Sequence, residues 1–217
     1  MLPVNDALMV KYIMTDSIRT LETLEIVGGA LCLDFINTIN SRLIPEHDYL
    51  VQYSDLVEWG NKVGILSAAQ SNQLQKRAKQ NVEEAENALR SARRLIELLY
   101  RLFSNAAKGS EPNKKDMETF VSAYGEAISH GQFLKTDNYY TTTWKVDEVF
   151  DALLWPIVHS AGELLLSSEL RQVKECPGCG WLFLDTSKNQ SRRWCSMNTC
   201  GARDKMRRYH GKLRAGS

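Results

Sequence analysis

Four cysteines fall within 25 residues of this 217-residue chain, as Cys176-x2-Cys179 and Cys195-x4-Cys200. No other feature restricts the fold so sharply. Pro177, Gly178 and Gly180 suit a tight knuckle that turns two sulfurs toward one centre. A segment of about 40 residues is too short to build an adequate core by itself. Four thiolates match the tetrahedral preference of zinc and leave no open position for a catalytic water. The expectation is one structural Zn2+ held by Cys176, Cys179, Cys195 and Cys200, substituting for the missing core so that its removal unfolds the module. A redox Cys-x-x-Cys pair or incidental buried thiols are the alternatives.

The fifth cysteine, Cys32, stands apart in the run Leu31-Cys32-Leu33 and reads as a small buried hydrophobe. An odd, clustered set of thiols fits a reducing compartment better than a secreted disulfide scaffold. The opening residues lack a basic stretch followed by an apolar core, and no apolar run approaches the roughly 18 residues of a membrane span. A soluble, cytoplasmic protein without membrane association is expected.

Charge is unevenly distributed. From Arg171 onward eleven basic and three acidic residues give +8, whereas the remainder, with sixteen against twenty-three, carries −7. A basic tail on an acidic body is the charge footprint of a nucleic-acid reader. Lys188, Arg192, Arg193, Arg203, Lys205, Arg207 and Arg208 are the candidate contacts, with Arg203 and Arg207 one helical turn apart. Trp181, Phe183 and Trp194 among them are expected to fill the small core.

The segment 1–170 reads as mainly helical. The first twenty residues form a loose arm or a short helix. The Gly28-Gly29 turn precedes Ala30–Thr38, an apolar run compatible with a buried strand or a helix. Asp34, Asn37 and Thr38 beside that turn either line a small-molecule pocket or cap the end of the element. Ser54-Asp55 opens a short helix ending near Gly60 or Gly64, and Ser67–Gln70 has capping-box spacing. Leu89, Ala92, Ile96, Leu99 and Phe103 recur at helical steps in a long amphipathic helix whose arginines face solvent.

Pro112 is placed in the first turn of the next helix, which runs to about His130-Gly131. Phe133–Trp144 reads as a hairpin turning at Asp137-Asn138. A last helix is expected from Asp147 toward Leu170, kinked at Pro156. In the tail, Trp181–Leu184 is taken as one strand and Arg192–Trp194 as its returning partner, with a basic helix from Arg203. The fold class expected is α+β: a mainly helical N-terminal domain (1–170) with a small hairpin, then a treble-clef-like, four-cysteine zinc module (171–217).

Cys179-Gly-Trp-Leu-Phe-Leu-Asp-Thr-Ser-Lys-Asn, Arg192-Arg-Trp-Cys-Ser-Met and Cys200-Gly-Ala-Arg203 resemble the bacterial CGNR zinc-finger proteins. Gly28–Thr38 and Tyr53–Trp59 are similar to the stress-induced transcription regulator (ABATE) domain that precedes that finger, so the resemblance spans about residues 25–214. Ala202 stands where that family's eponymous asparagine is expected. The resemblance implies a DNA-binding regulator of a stress response, whose helical domain senses a small-molecule effector or forms a homodimer. The competing reading is a zinc-stapled RNA-binding or protein-interaction module. No nucleophile elbow, P-loop, HExxH or dinucleotide fingerprint is present, so no enzymatic activity is expected.

Overall fold

The computed structural model describes residues 20–43 and 48–215. The arm expected at the N-terminus lies outside them, Thr20 apart. In chain order the elements are α1 (Leu31–Ile36), α2 (Tyr53–Lys62), α3 (Ala68–Gln80), α4 (Val82–Ala107) and α5 (Lys114–Ser129). Strands β1 (Gln132–Lys135) and β2 (Tyr140–Thr143), helix α6 (Leu154–Leu166) and a 3-10 turn (Ser168–Gln172) follow. Strands β3 (Val173–Glu175) and β4 (Leu182–Leu184), a wide turn (Met197–Gly201) and α7 (Ala202–Ala215) complete the fold. Helices dominate the N-terminal region, and the strands form two separate antiparallel pairs.

Local chemistry sets most boundaries. Ser67 caps α3, with Gln70 N–H donating to its Oγ (3.3 Å) and Gln70 Oε1 accepting from the Ser67 amide (3.0 Å). At α2 the reciprocal partner is Asp55, which accepts from the Val51 and Gln52 amides; Gln52, not Ser54, occupies the cap. The apolar face of α4, from Ala85 to Phe103, is buried as its periodicity requires. Asn113 caps α5, so Pro112 precedes the cap rather than sitting in the first turn. The hairpin pairs Gln132 with Thr143 and Lys135 with Tyr140 around the Thr136–Tyr139 turn.

The last long helix begins seven residues later than expected. Phe150 explains this: its carbonyl accepts from Tyr53 Oη (2.8 Å) and its ring packs edge-on against Tyr53. That contact fixes Asp147–Leu153 as turns. Helix α6 then starts at Leu154, which places Pro156 in the first turn, where a missing N–H costs nothing, and no kink is required.

Helix α1 lies at the centre, against α4, α6 and β4, and β3 packs on α4. Leu33, Phe35, Trp59, Leu99, Leu153, Leu182 and Phe183 belong to one apolar core that runs from the helices into the cysteine segment. The expected boundary at residue 170 falls in the 3-10 turn, and the core is shared across it. Cys32 is fully buried there, and burial pushes its thiol up to about 12.

Candidate metal centre and basic face

Strand β4 finds its partner upstream of the first cysteine pair, with Val173 opposite Leu184 and Glu175 opposite Leu182. The knuckle is therefore the loop of this hairpin. Cys176 N–H donates to the Trp181 carbonyl and Gly180 N–H to the Cys176 carbonyl, both at 2.8 Å. Gly180 has φ +76, and a Cβ there would stand 2.5 Å from Arg42 Cβ, so only glycine fits. The strand expected at Arg192–Trp194 does not form. Asp185 and Lys174 hold that segment instead.

Asp185 is fully buried. Its carboxylate pairs with Lys174 Nζ (2.5 Å) and accepts from Ser187 Oγ (2.6 Å) and the Arg192 amide (2.9 Å). Desolvation opposes its charge, but these donors, Lys174 foremost, hold the carboxyl down at about 2. Lys174 also reaches the carbonyls of Gln190 and Arg192. The loop's polar groups are thus paired to a charge couple, not to a second strand.

After Trp194 the chain delivers Cys195, passes through the wide turn and delivers Cys200 at the entrance to α7. The four sulfurs lie within 4.8 Å of one another, all are buried, and none is paired in a disulfide. Cys179 Sγ is 3.5 Å from Cys195 Sγ, which is 3.7 Å from Cys200 Sγ. A tetrahedron with zinc–sulfur bonds of about 2.3 Å has edges of about 3.8 Å, so the quartet has the right size. Hydrogen bonds from Cys179, then Cys195 and Cys200, hold the Cys176 thiol well below its usual range. The same crowding pushes Cys179 and Cys195 above theirs. Cys200 is lowered as well, so two thiolates are favoured at the expense of the other two, a conflict that a dication removes. These residues fit one structural zinc ion with all four positions closed by protein.

The N-terminal region grips this centre along one edge. Asn37, 1% exposed, donates from Nδ2 to the Leu182 carbonyl (2.8 Å) and accepts at Oδ1 from the Leu182 amide (2.9 Å). A side-chain amide thus imitates a neighbouring strand. Leu184 N–H donates to the Gly28 carbonyl, and Arg42 N–H to the Cys179 carbonyl, both at 2.8 Å. Trp181 Nε1 donates to the Ile39 carbonyl (2.7 Å). Asp34 Oδ1 accepts from the Gly28 amide (2.7 Å), and Thr38 Oγ1 donates to the Phe35 carbonyl (2.7 Å). Burial pushes the Asp34 carboxyl up to about 6, although the Gly28 and Val27 amides favour its anion.

Asp34, Asn37 and Thr38 are therefore spent on internal bonds. Of the two readings, pocket lining and capping, these bonds are of the second kind and together make a clamp, because a buried polar group must be satisfied where it lies. Sequence reading missed Arg42, Lys174 and Asp185 as supports of the centre. Arg42 acts on a carbonyl far away in the chain, and Lys174 meets Asp185 only across a hairpin whose pairing the spacing does not reveal.

The seven candidate basic residues separate. Arg192 is turned inward: its Nε donates to the Trp194 carbonyl (3.0 Å), its Nη2 to the Cys195 carbonyl, and its guanidinium lies 4.4 Å from the Phe183 ring centre. It braces the second cysteine pair. Arg193 is exposed and covers the Trp194 ring at 5.0 Å, and Lys188 is exposed on the 186–191 loop. Arg203, Lys205, Arg207 and Arg208 are exposed on α7. Buried Asp204 pairs with Arg207 (2.7 Å) and Arg208 (3.0 Å) and orders both guanidinium groups on one side of the helix. Trp181, Phe183 and Trp194 are buried, whereas Tyr209 is exposed.

Comparison with known families matches two models in the order of the two regions. Residues 29–168 match ABATE, described as "Putative stress-induced transcription regulator", and residues 172–212 match the CGNR zinc finger. No curated protein matches the chain. Among the described residues no helix is long and apolar enough to cross a membrane.

Proposed function

This chain belongs to the ABATE family and carries a CGNR zinc finger, and on that premise we propose that it is a DNA-binding transcriptional regulator. The zinc ion holds the two cysteine pairs, and the clamp from Gly28 to Arg42 fixes their orientation on the helical body. Helix α7 then projects from the second pair as the DNA-contacting element, and the helical body responds to an effector or to self-association. The role assigned is binding rather than catalysis.

One observation carries the reading: among the described side chains of α7, all but Asp204 are exposed, and four of the exposed ones are cationic. A helix exposed on nearly every side, Met206 and Tyr209 included, gains little from packing, so its charge calls for another explanation. Arg203, Lys205, Arg207 and Arg208 suit phosphate oxygens, which fix register without selecting sequence. Ala202 is exposed in the first turn of α7, where its methyl group offers no hydrogen bond to DNA or to the backbone.

The test uses the zinc-loaded full chain against duplex DNA, single-stranded DNA and RNA of equal length, across a salt series. Duplex preference is expected, with a log–log salt slope near −3.6 for about four phosphate contacts. Arg203→Ala combined with Lys205→Ala should reduce that slope by about 1.8 while zinc content stays at one per chain. Preference for RNA, or binding indifferent to those changes, would contradict the reading.

A further inference from the structure

Helices α4, α5 and α6 leave between them an open groove of about 870 Å³. Leu95, Leu98, Ala123, Leu154, Trp155 and Val158 form its apolar strip, four basic and four acidic side chains share the lining without net charge, and Trp155 is held by a flat stack on His130 at 4.1 Å. The volume falls in the range of roughly 300–1,000 Å³ usual for small-molecule sites. Lys115 and Glu126, both in the lining, are separated by about 16 Å of helix α5.

The groove adjoins a second cavity of about 530 Å³, and the two share Arg101, Lys115 and Asp116. The second lining is opposite in character. Arg101, Lys108 and Lys115 meet there with Ser104, Asn105 and Asn113, and Asp116 supplies its one carboxylate among the described residues. Both oxygens of Asp116 are already taken by Arg101, at 2.8 Å each. A groove with an apolar strip and no net charge thus leads into a basic, amide-rich end whose lining carries +2. Glu175, 3.4 Å from Lys108, offsets one more positive charge and leaves +1, so the balance matches a singly charged head group.

We propose that this double cavity binds an amphipathic monocarboxylate, its apolar body on the α4–α5–α6 groove and its carboxylate at Lys108 and Lys115 beside Arg101. The proposal rests on the effector-sensing half of the function above and is independent of the nucleic-acid half. It also gives the ligand a route to the metal centre. Lys108 Nζ lies 2.8 Å from Ser104 Oγ and 3.4 Å from Glu175, the residue preceding Cys176. Ser104 Oγ and Tyr100 Oη donate to the same Glu175 carboxylate, at 2.7 and 3.1 Å. Arg42 lies over the Tyr100 ring at 4.0 Å, and its amide holds the Cys179 carbonyl. A carboxylate that draws Lys108 away competes with a tie on the strand leading into the knuckle.

The experiment titrates the zinc-loaded full chain by calorimetry with decanoate below its micelle concentration, with decanol and acetate as the two half-ligands. Saturable one-to-one binding of decanoate is expected, with decanol about tenfold weaker and acetate silent. Lys108→Ala with Lys115→Ala should weaken decanoate about tenfold and leave decanol unchanged. Ala123→Trp should block both by filling the groove, and the melting temperature of each variant without ligand checks its fold. Absence of saturable decanoate binding, or binding that the lysine changes leave intact, would overturn the proposal. Decanoate binding that leaves DNA affinity unchanged would support the site while counting against the sensor reading.

Discussion

Replacing Asn37 by Ala removes both hydrogen bonds that the side chain makes to Leu182 and leaves a buried N–H and a buried carbonyl without those partners. Each orphaned group costs about 1–3 kcal/mol, and no water enters readily at a position 1% exposed. The expected loss is about 2–5 kcal/mol, a large share of the roughly 5–15 kcal/mol that stabilises a domain. Because the clamp grips the metal-bearing hairpin, part of that loss should appear in zinc affinity. A transfer of about 3 kcal/mol corresponds to roughly 150-fold weaker binding. Urea unfolding of the zinc-loaded chain, followed by tryptophan fluorescence, gives the first quantity, and competition with a chromogenic chelator gives the second. Thr38→Val is the comparison, since it removes one local bond to Phe35 and should cost about 1 kcal/mol with little change in zinc affinity. Asn37→Ala with stability unchanged within about 0.5 kcal/mol would refute the clamp and restore a pocket-lining role.

Asp34→Asn should stabilise the protein at pH 7 by up to about 2–3 kcal/mol, because Oδ1 can still accept from Gly28 and no buried charge remains. The folded carboxyl titrates at about 6, above its unfolded value, so wild-type stability falls as pH rises from about 4 to 6 and is level beyond. The stability difference between the two proteins across that window reads the effect, and a flat difference would refute it. Arg192→Gln should lower stability by about 2–4 kcal/mol, since buried carbonyls lose a charged donor. Lys205→Ala should change stability by less than about 0.5 kcal/mol and reduce the salt slope of DNA binding by about 0.9. Equal effects of these two changes on melting would mean that the inward and outward basic residues have been confused.

What the sequence disclosed was local. The Ser67–Gln70 cap, the α4 stripe, the Thr136–Tyr139 turn and the cysteine pairs each lie within a few turns of chain, where spacing alone fixes geometry. Strand β3 is illegible because three residues carry no period, and local pattern instead offers Arg192–Trp194 as the partner of β4. The start of α6 escaped because a Tyr53–Phe150 contact, 97 residues apart, overrode an apolar run that looked helical. Asn37 illustrates the limit most plainly. Its partner lies 145 residues away, and an asparagine that imitates a strand has the same local signature as one lining a pocket. Arg192 and Arg193 are adjacent and chemically identical, yet only the fold decides which braces a carbonyl and which faces solvent.

The most direct measurement is amide hydrogen exchange on the full chain, whose zinc content is first quantified, before and after chelation. One zinc per chain is predicted. Its removal should expose the Leu182 and Leu184 amides of the finger and the Arg42 amide of the helical body together, while the centre of α4 stays protected. A chain without stoichiometric zinc, or a clamp whose amides remain protected after the metal has gone, would contradict the account.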